Sequence, residues 1–134
     1  MPDSMNYVDW LEKARNDLLA AEAIMAYYES PPTDTVCYHC QQVAEKCLKA
    51  FLIVKAKKLL KIHDLIDLLE KCSKIDASCE TIRDQIDSLD GFYIESKYPP
   101  DIPTEIPFDE TKSAVVNARE IYKFFCEKLE YVPN

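Results

Sequence analysis

Glycine is almost missing from this sequence: Gly91 is the only one among 134 residues. An average chain of this length would carry roughly nine. Tight turns with positive φ depend on glycine, so a protein built from β-hairpins is disfavoured. Helices joined by ordinary loops fit the composition better. Because the length suits one core, we expect residues 1–134 to form a single domain.

Long apolar runs are missing as well. No stretch approaches the roughly 20 apolar residues that span a bilayer. The first ten residues include acidic side chains and lack the apolar core of a secretory signal. We therefore expect a cytoplasmic protein that makes no membrane contact. The formal net charge of −8 also makes the whole chain a poor nonspecific ligand for nucleic acid.

The six cysteines do not follow the spacing of a zinc site. Cys37 and Cys40 form a C-x-x-C, but Cys72 and Cys79 do not supply a second pair at similar spacing. Most of the cysteines occupy apolar positions of helical patterns, where a free thiol acts as a small hydrophobic group. We therefore expect packing rather than disulfides or a thiol active site, and no metal or other cofactor.

The pattern that the sequence does contain is helical. Over residues 6–28 apolar side chains recur at spacings of three and four, and the prolines of Ser30–Pro32 end the pattern. A second helix should begin near Thr33 or Asp34, either of which can cap it, and continue to about Lys57.

Three further helices follow in the pattern. Asp64 should cap a short one, and Asp76 should cap a fourth that has Tyr93 on its apolar face. Four prolines predict an extended stretch over residues 96–107, and Asp109 should cap the last helix. The sequence thus predicts an all-α, up-and-down bundle of four longer helices and one short one.

Positive charge is concentrated in one segment. The segment from Lys46 to Lys61 contains six lysines, counting both ends, and no acidic residue. At about 100° per residue, one strip of the second helix beside its buried face holds His39, Gln42, Lys46, Lys49 and Lys57. Ammonium, amide and imidazole groups are the types that bind phosphate, and His63 can join them from the following loop.

A structural interpretation of the same residues stays open. Lysines near a helix C-terminus are favoured by the helix dipole, and Glu45 and Lys49 form an i,i+4 pair that needs no ligand. In this interpretation, His63 and Asp64 are a junction between a loop and a helix cap, with the imidazole bonded to the backbone.

Four motifs occur in a specific order. The first helix reads W-x-x-x-A-x-x-D-L-x-x-A from Trp10, residues 41–50 read QQVAEKCLKA, residues 63–69 read HDLIDLL, and residues 97–99 read KYP. This order resembles the HEPN family (higher eukaryotes and prokaryotes nucleotide-binding), whose last motif is usually R-Y-P. The resemblance implies a HEPN-like bundle and adds Lys97 and Tyr98 to the candidate ligand-binding residues.

The resemblance implies several functions. HEPN proteins are commonly homodimers, and many pair with a minimal nucleotidyltransferase in systems of the toxin–antitoxin kind. Some cleave RNA with an arginine followed four to six residues later by a histidine. Here Arg15, Arg83 and Arg119 have no histidine four to seven positions downstream. The groups that stabilise charge and transfer protons are not paired in this way, so we predict no catalytic residues.

Two hypotheses from different classes follow. In the first, the chain binds a nucleotide or an RNA phosphate: Lys46 and Lys49 contact phosphate, Gln42 donates a hydrogen bond, and Tyr98 stacks on a base. Partnering a minimal nucleotidyltransferase belongs to this hypothesis either together with ligand binding or in place of it. In the alternative, the motifs are purely structural and the chain is a dimerisation module. A ribonuclease is a weaker third option.

Overall fold

The computed structural model describes residues 3–92 and 105–133, and the described residues contain helices and no β-strand. The helices are α1 (Tyr7–Tyr27), α2 (Thr33–Ala56), α3 (Leu65–Ile75), α4 (Arg83–Leu89) and α5 (Phe108–Lys128), with a 3-10 helix (Ala77–Ile82) before α4. The predicted all-α bundle is confirmed. Within these ranges, no helix is both long and apolar enough to cross a membrane.

Helix α2 is the centre of the bundle. It packs against α1, α3, α4 and α5. From Cys40 to Ile53 every side chain except that of Lys46 is buried. A surface helix buries only one stripe, whereas a helix surrounded by others must also bury its polar residues. Between Cys40 and Ile53 those residues are Gln41, Gln42, Glu45 and Lys49.

The cysteines are part of the apolar core. All six are buried and none forms a disulfide. Burial raises the pKa of the Cys37 thiol to about 11, and the sulfur lies 3.7 Å from the Thr111 hydroxyl. Both cysteines of the C-x-x-C are buried in the core, as the sequence predicts. Buried thiols with a raised pKa are poor nucleophiles.

Two of the predicted caps are present. The Asp64 carboxylate accepts a hydrogen bond from the amide of Asp67 at 3.1 Å and begins α3. The Asp76 carboxylate accepts one from the amide of Ser78 at 3.0 Å. This tight turn starts a 3-10 helix, so the predicted fourth helix is divided into a 3-10 part and α4.

The two remaining cap predictions were wrong. Helix α2 begins at Thr33 itself and α5 begins one residue before Asp109, with Pro32 and Pro107 at the cap positions and no side-chain cap bond. Proline holds φ near the helical value and can lead the chain into a helix without a side-chain acceptor. Asp34 and Asp109 instead lie in the first turns, where a negative charge favours the helix dipole.

Some predictions fall outside the described residues. They concern Tyr93, Lys97, Tyr98 and most of the proline-rich stretch. The end of α2 is described, and it lies where the sequence predicts. Lys57 ends the helix with φ of 56°, in the left-handed region that glycine usually occupies.

Candidate functional site

The buried carboxylate of Glu45 is the centre of a polar cluster beside the loop that joins α2 to α3, and the only exposed side chain of this cluster is that of His63. It accepts a hydrogen bond from Nζ of Lys49 at 3.0 Å and one from the amide of Gln41 at 3.2 Å. Nδ1 of His63 lies 3.1 Å from both carboxylate oxygens. We call Gln41, Gln42, Glu45, Lys49 and His63 the Glu45 cluster.

Burial explains why this cluster has so many hydrogen bonds. The side chains of Glu45 and Lys49 are each 5% exposed. A charge at this depth is tolerated when it is paired with an opposite charge and its remaining polar atoms are bonded. The amide of Gln42 completes the arrangement by donating to the side-chain oxygen of Gln41 at 2.7 Å.

The same cluster attaches the loop to α2. The Gln41 amide donates to the backbone carbonyl of His63 at 3.3 Å. Asp64, the next residue, caps α3. The cluster therefore helps to fix where α3 starts relative to α2, and the His63 ring contacts the Glu45 carboxylate. His63 and Asp64 thus form the junction between loop and helix cap that the structural interpretation expects.

Helix α1 contributes an aromatic ring to the cluster. Nζ of Lys49 lies 5.7 Å from the centre of the Trp10 ring, within range of a cation–π contact. The indole nitrogen of Trp10 donates to the backbone carbonyl of Ser4 at 2.9 Å. The tryptophan of the first motif and the second lysine of the QQVAEKCLKA motif thus meet in space.

A second cluster lies between α1 and α2, and we call it the Asp17 cluster. Nδ1 of His39 lies 2.8 Å from one carboxylate oxygen of Asp17, and Nζ of Lys46 lies 2.5 Å from the other. His39 and Lys46 are about two helical turns apart, on one face of α2. The three side chains are 13–26% exposed, so water reaches them.

A groove of about 380 Å³ brings four of the predicted residues together: Gln42, Lys46, Lys49 and His63. The rest of its lining consists of Asp3, Trp10, Glu45, Leu59, Leu60 and Lys61. Each lysine in the groove has a carboxylate partner on the chain, and that of Lys61 is Asp3 at 2.7 Å.

The other predicted residues are placed differently. His39 belongs to the Asp17 cluster, on the strip that the helical spacing predicts. Lys57 lies at the end of α2, where its Nζ donates to the carbonyl of Val54 at 3.2 Å. Lys97 and Tyr98 are not among the described residues.

The site prediction omitted the carboxylates that hold these cations. Glu45 was considered only in the structural alternative, and Asp17 only as a motif residue. The sequence does contain a sign of the role of Asp17. It is an acidic residue beside the apolar stripe of α1, and a carboxylate in such a position needs a cation from a neighbouring helix. Among residues 3–92 and 105–133, no group of three or more His, Cys, Asp or Glu is arranged to hold a metal ion.

Comparison with known proteins shows the family and the fold of the chain. The HEPN domain family model matches residues 7–129. The crystal structure of TT1696 from Thermus thermophilus is 26% identical, with a TM-score of 0.78, and the match covers 93% of this chain and 99% of that one. The structure of ST0689, an archaeal HEPN homologue, is 23% identical, with a TM-score of 0.66, covering 92% and 97%. No curated protein matches the chain.

Proposed function

The chain belongs to the HEPN family, and from this we propose that it is a noncatalytic HEPN domain that acts by binding protein partners. The partners are a second copy of the chain and a minimal nucleotidyltransferase. The main observation in favour is that the side chains of the QQVAEKCLKA motif bond to one another in the Glu45 cluster. Because these groups hold α2 and its loop, the outer surface is left for partners.

The placement of the basic residues favours binding over RNA cleavage. Both histidines contact carboxylates of the two clusters. Arg83 bonds to Glu80 and Glu70, and Arg119 bonds to Glu22. A ribonuclease of the family's kind brings an arginine and a histidine to one phosphate, whereas here the two histidines, Arg83 and Arg119 serve separate ion pairs.

The test is co-expression of the tagged chain with a nucleotidyltransferase encoded beside its gene. We expect the two to elute together, with a dissociation constant in the micromolar range or tighter. Total RNA incubated with the purified chain should stay intact. Failure of the two proteins to associate, or RNA cleavage that is lost in Lys46→Ala, would contradict the proposal.

Phosphate binding is a second candidate, favoured by the groove. In a chain of net charge −8, this groove gathers Lys46, Lys61 and His63. Lys61 and Asp3 are 73% and 72% exposed. An exposed pair of this kind contributes little to stability, so a phosphate can replace Asp3 at low cost. Lys49 is committed to Glu45, so we expect it to support the groove without contacting the ligand.

Isothermal titration with ATP, GTP and a short RNA tests the second candidate. Binding should weaken in Lys61→Ala and Lys46→Ala. Lys74→Ala removes an exposed lysine elsewhere on the chain and is the matched control. Absence of heat with all three ligands, or equal losses in the control, would exclude the groove as a phosphate site.

A further inference from the structure

The most exposed residues of α1 are uncharged over the second half of the helix. The structure describes every residue of α1, and from Ala14 to Tyr27 its most exposed residues carry no charge. The side chain of Glu22, which is 33% exposed, borders them and is paired with Arg119 of α5. The exposed residues are Asn16, Leu19, Ala23, Ala26 and Tyr27. This is unusual in a chain of which 30% of the residues are charged. We call these five residues the α1 face.

Helix α5 provides the comparison within the same bundle. It has the same length as α1 and also has one side exposed. Most of its exposed residues are charged: Asp109, Glu110, Lys112, Arg119, Glu120, Lys123 and Glu127. An ordinary solvated helix looks like α5, so the composition of the α1 face needs a different explanation.

The α1 face ends in aromatic side chains of the kind that anchors interfaces. Leu19 is 49% exposed and Tyr27 is 80% exposed. Tyr28, which follows the helix, is 51% exposed, and its ring lies 4.8 Å from that of Tyr27 in an edge-on arrangement. Aromatic residues are enriched among the residues that dominate binding energy.

We propose that the α1 face binds the α1 face of a second copy of this chain, which rests on the homodimer in the proposed function and names its interface. Two copies together carry twice the net charge of −8, so most pairs of surfaces repel each other. The α1 face avoids this repulsion. A basic partner would instead be attracted to the acidic surfaces, where its charges are compensated.

The spacing of the residues suits a two-fold symmetric contact. If two α1 helices cross in opposite directions at Ala23, Leu19 of one copy meets Tyr27 of the other, and the contact is repeated by symmetry. Leu19 and Tyr27 each lie four residues, or about 6 Å along the axis, from Ala23. The small side chain of Ala23 lets the helices approach closely.

Sedimentation velocity over protein concentrations from roughly 1 to 100 μM, the range of moderate interfaces, tests the proposal. We expect a dimer for the unaltered chain and at least about a tenfold weaker association for Leu19→Glu, which puts two like charges at the contact. Ile75→Glu, at a residue on α3 that is 46% exposed, is the matched control and should leave the dimer unchanged. Ala23→Lys is a second variant, used with circular dichroism to verify folding.

The possible results distinguish failure of the proposed α1 interface from failure of the proposed homodimer. A chain that is monomeric at every concentration overturns both. A dimer that persists in folded Leu19→Glu and Ala23→Lys overturns the interface and leaves the homodimer in place. If the unaltered chain is monomeric and these variants lose only nucleotidyltransferase binding, the α1 face belongs to that enzyme and the proposal fails.

Discussion

The two carboxylates beside α2 have the same kinds of partner and different surroundings. Glu45 and Asp17 each bond to one lysine and contact one histidine. Glu45 and its lysine are 5% exposed, whereas Asp17 and its lysine are 13% and 20% exposed. Water can replace a lost partner more easily at Asp17 than at Glu45. The same chemistry should therefore contribute very differently to stability.

The largest difference should come from removing each carboxylate. Glu45→Ala leaves the Lys49 ammonium buried without its counter-charge, and we expect a loss of about 3–5 kcal/mol in the free energy of unfolding. Asp17→Ala should cost about 1 kcal/mol or less, because its partners reach water. Urea unfolding of both variants measures the two losses in the free energy of unfolding. Equal losses would show that the difference in burial has no energetic effect.

Removing the lysines should again cost more stability in the Glu45 cluster than in the Asp17 cluster, with a smaller difference between the two. Lys49→Met leaves the Glu45 carboxylate with its glutamine and histidine partners, and we expect a cost of about 1–3 kcal/mol. Lys46→Met should cost about half a kcal/mol or less. In Glu45→Gln combined with Lys49→Met no buried charge is left, so much of the stability should return. A double variant as unstable as the sum of its parts would contradict this account.

Salt should weaken one pair more than the other. Charges that contact water are screened by ions, and buried pairs are screened much less. Double-mutant cycles in roughly 0.05 M and 1 M NaCl should show the Asp17–Lys46 coupling energy falling by about half or more. The Glu45–Lys49 coupling should change little. A parallel decrease in both would mean that water enters the Glu45 cluster.

The smallest effect is expected at a third carboxylate, Asp76, which is on the surface. Hydrogen bonds from the Ser78 hydroxyl and from Lys128 lower the pKa of Asp76 from 3.8 to about 2. A carboxyl whose pKa is lower in the folded state stabilises the fold above about pH 4, and this stabilisation is lost as the pH falls towards about 2.

Urea unfolding of the native chain and Asp76→Asn between about pH 6 and pH 2 makes this measurement. The native chain should be slightly more stable at about pH 6, and the difference should shrink below about pH 4, where the unfolded carboxyl becomes protonated. A difference that stays constant across this range would show that the carboxylate charge contributes nothing.

The sequence alone predicted the bundle well, for a physical reason. Apolar spacing and proline positions are local signals, and they placed α1 and the end of α2 within about one residue. The sequence did not predict the 3-10 helix after Asp76. The Asp76 carboxylate accepts a hydrogen bond from the amide of Ser78, two residues later, and the first turn there is a 3-10 turn. The sequence pattern marks Asp76 as a cap and does not say how tight the following turn will be.

The candidate site was predicted less completely. The angle around α2 correctly placed Gln42, Lys46 and Lys49 near one another. It carried no information about which neighbouring element covers each of them. Lys49 is enclosed by the Trp10 ring and Glu45, while Lys46 is paired with Asp17 from α1. Contacts between residues far apart in the chain decide which cation stays accessible.

The position of α2 also has a consequence for the motions of the domain. Its amides from Cys40 to Ile53 lie in a helix that is covered on nearly all sides. Opening them to solvent requires α1, α3 or α5 to separate, so hydrogen exchange there should report global unfolding. The short α4, preceded by a 3-10 helix, should exchange much sooner. The helix that carries the family motif would then be the last part of the molecule to open.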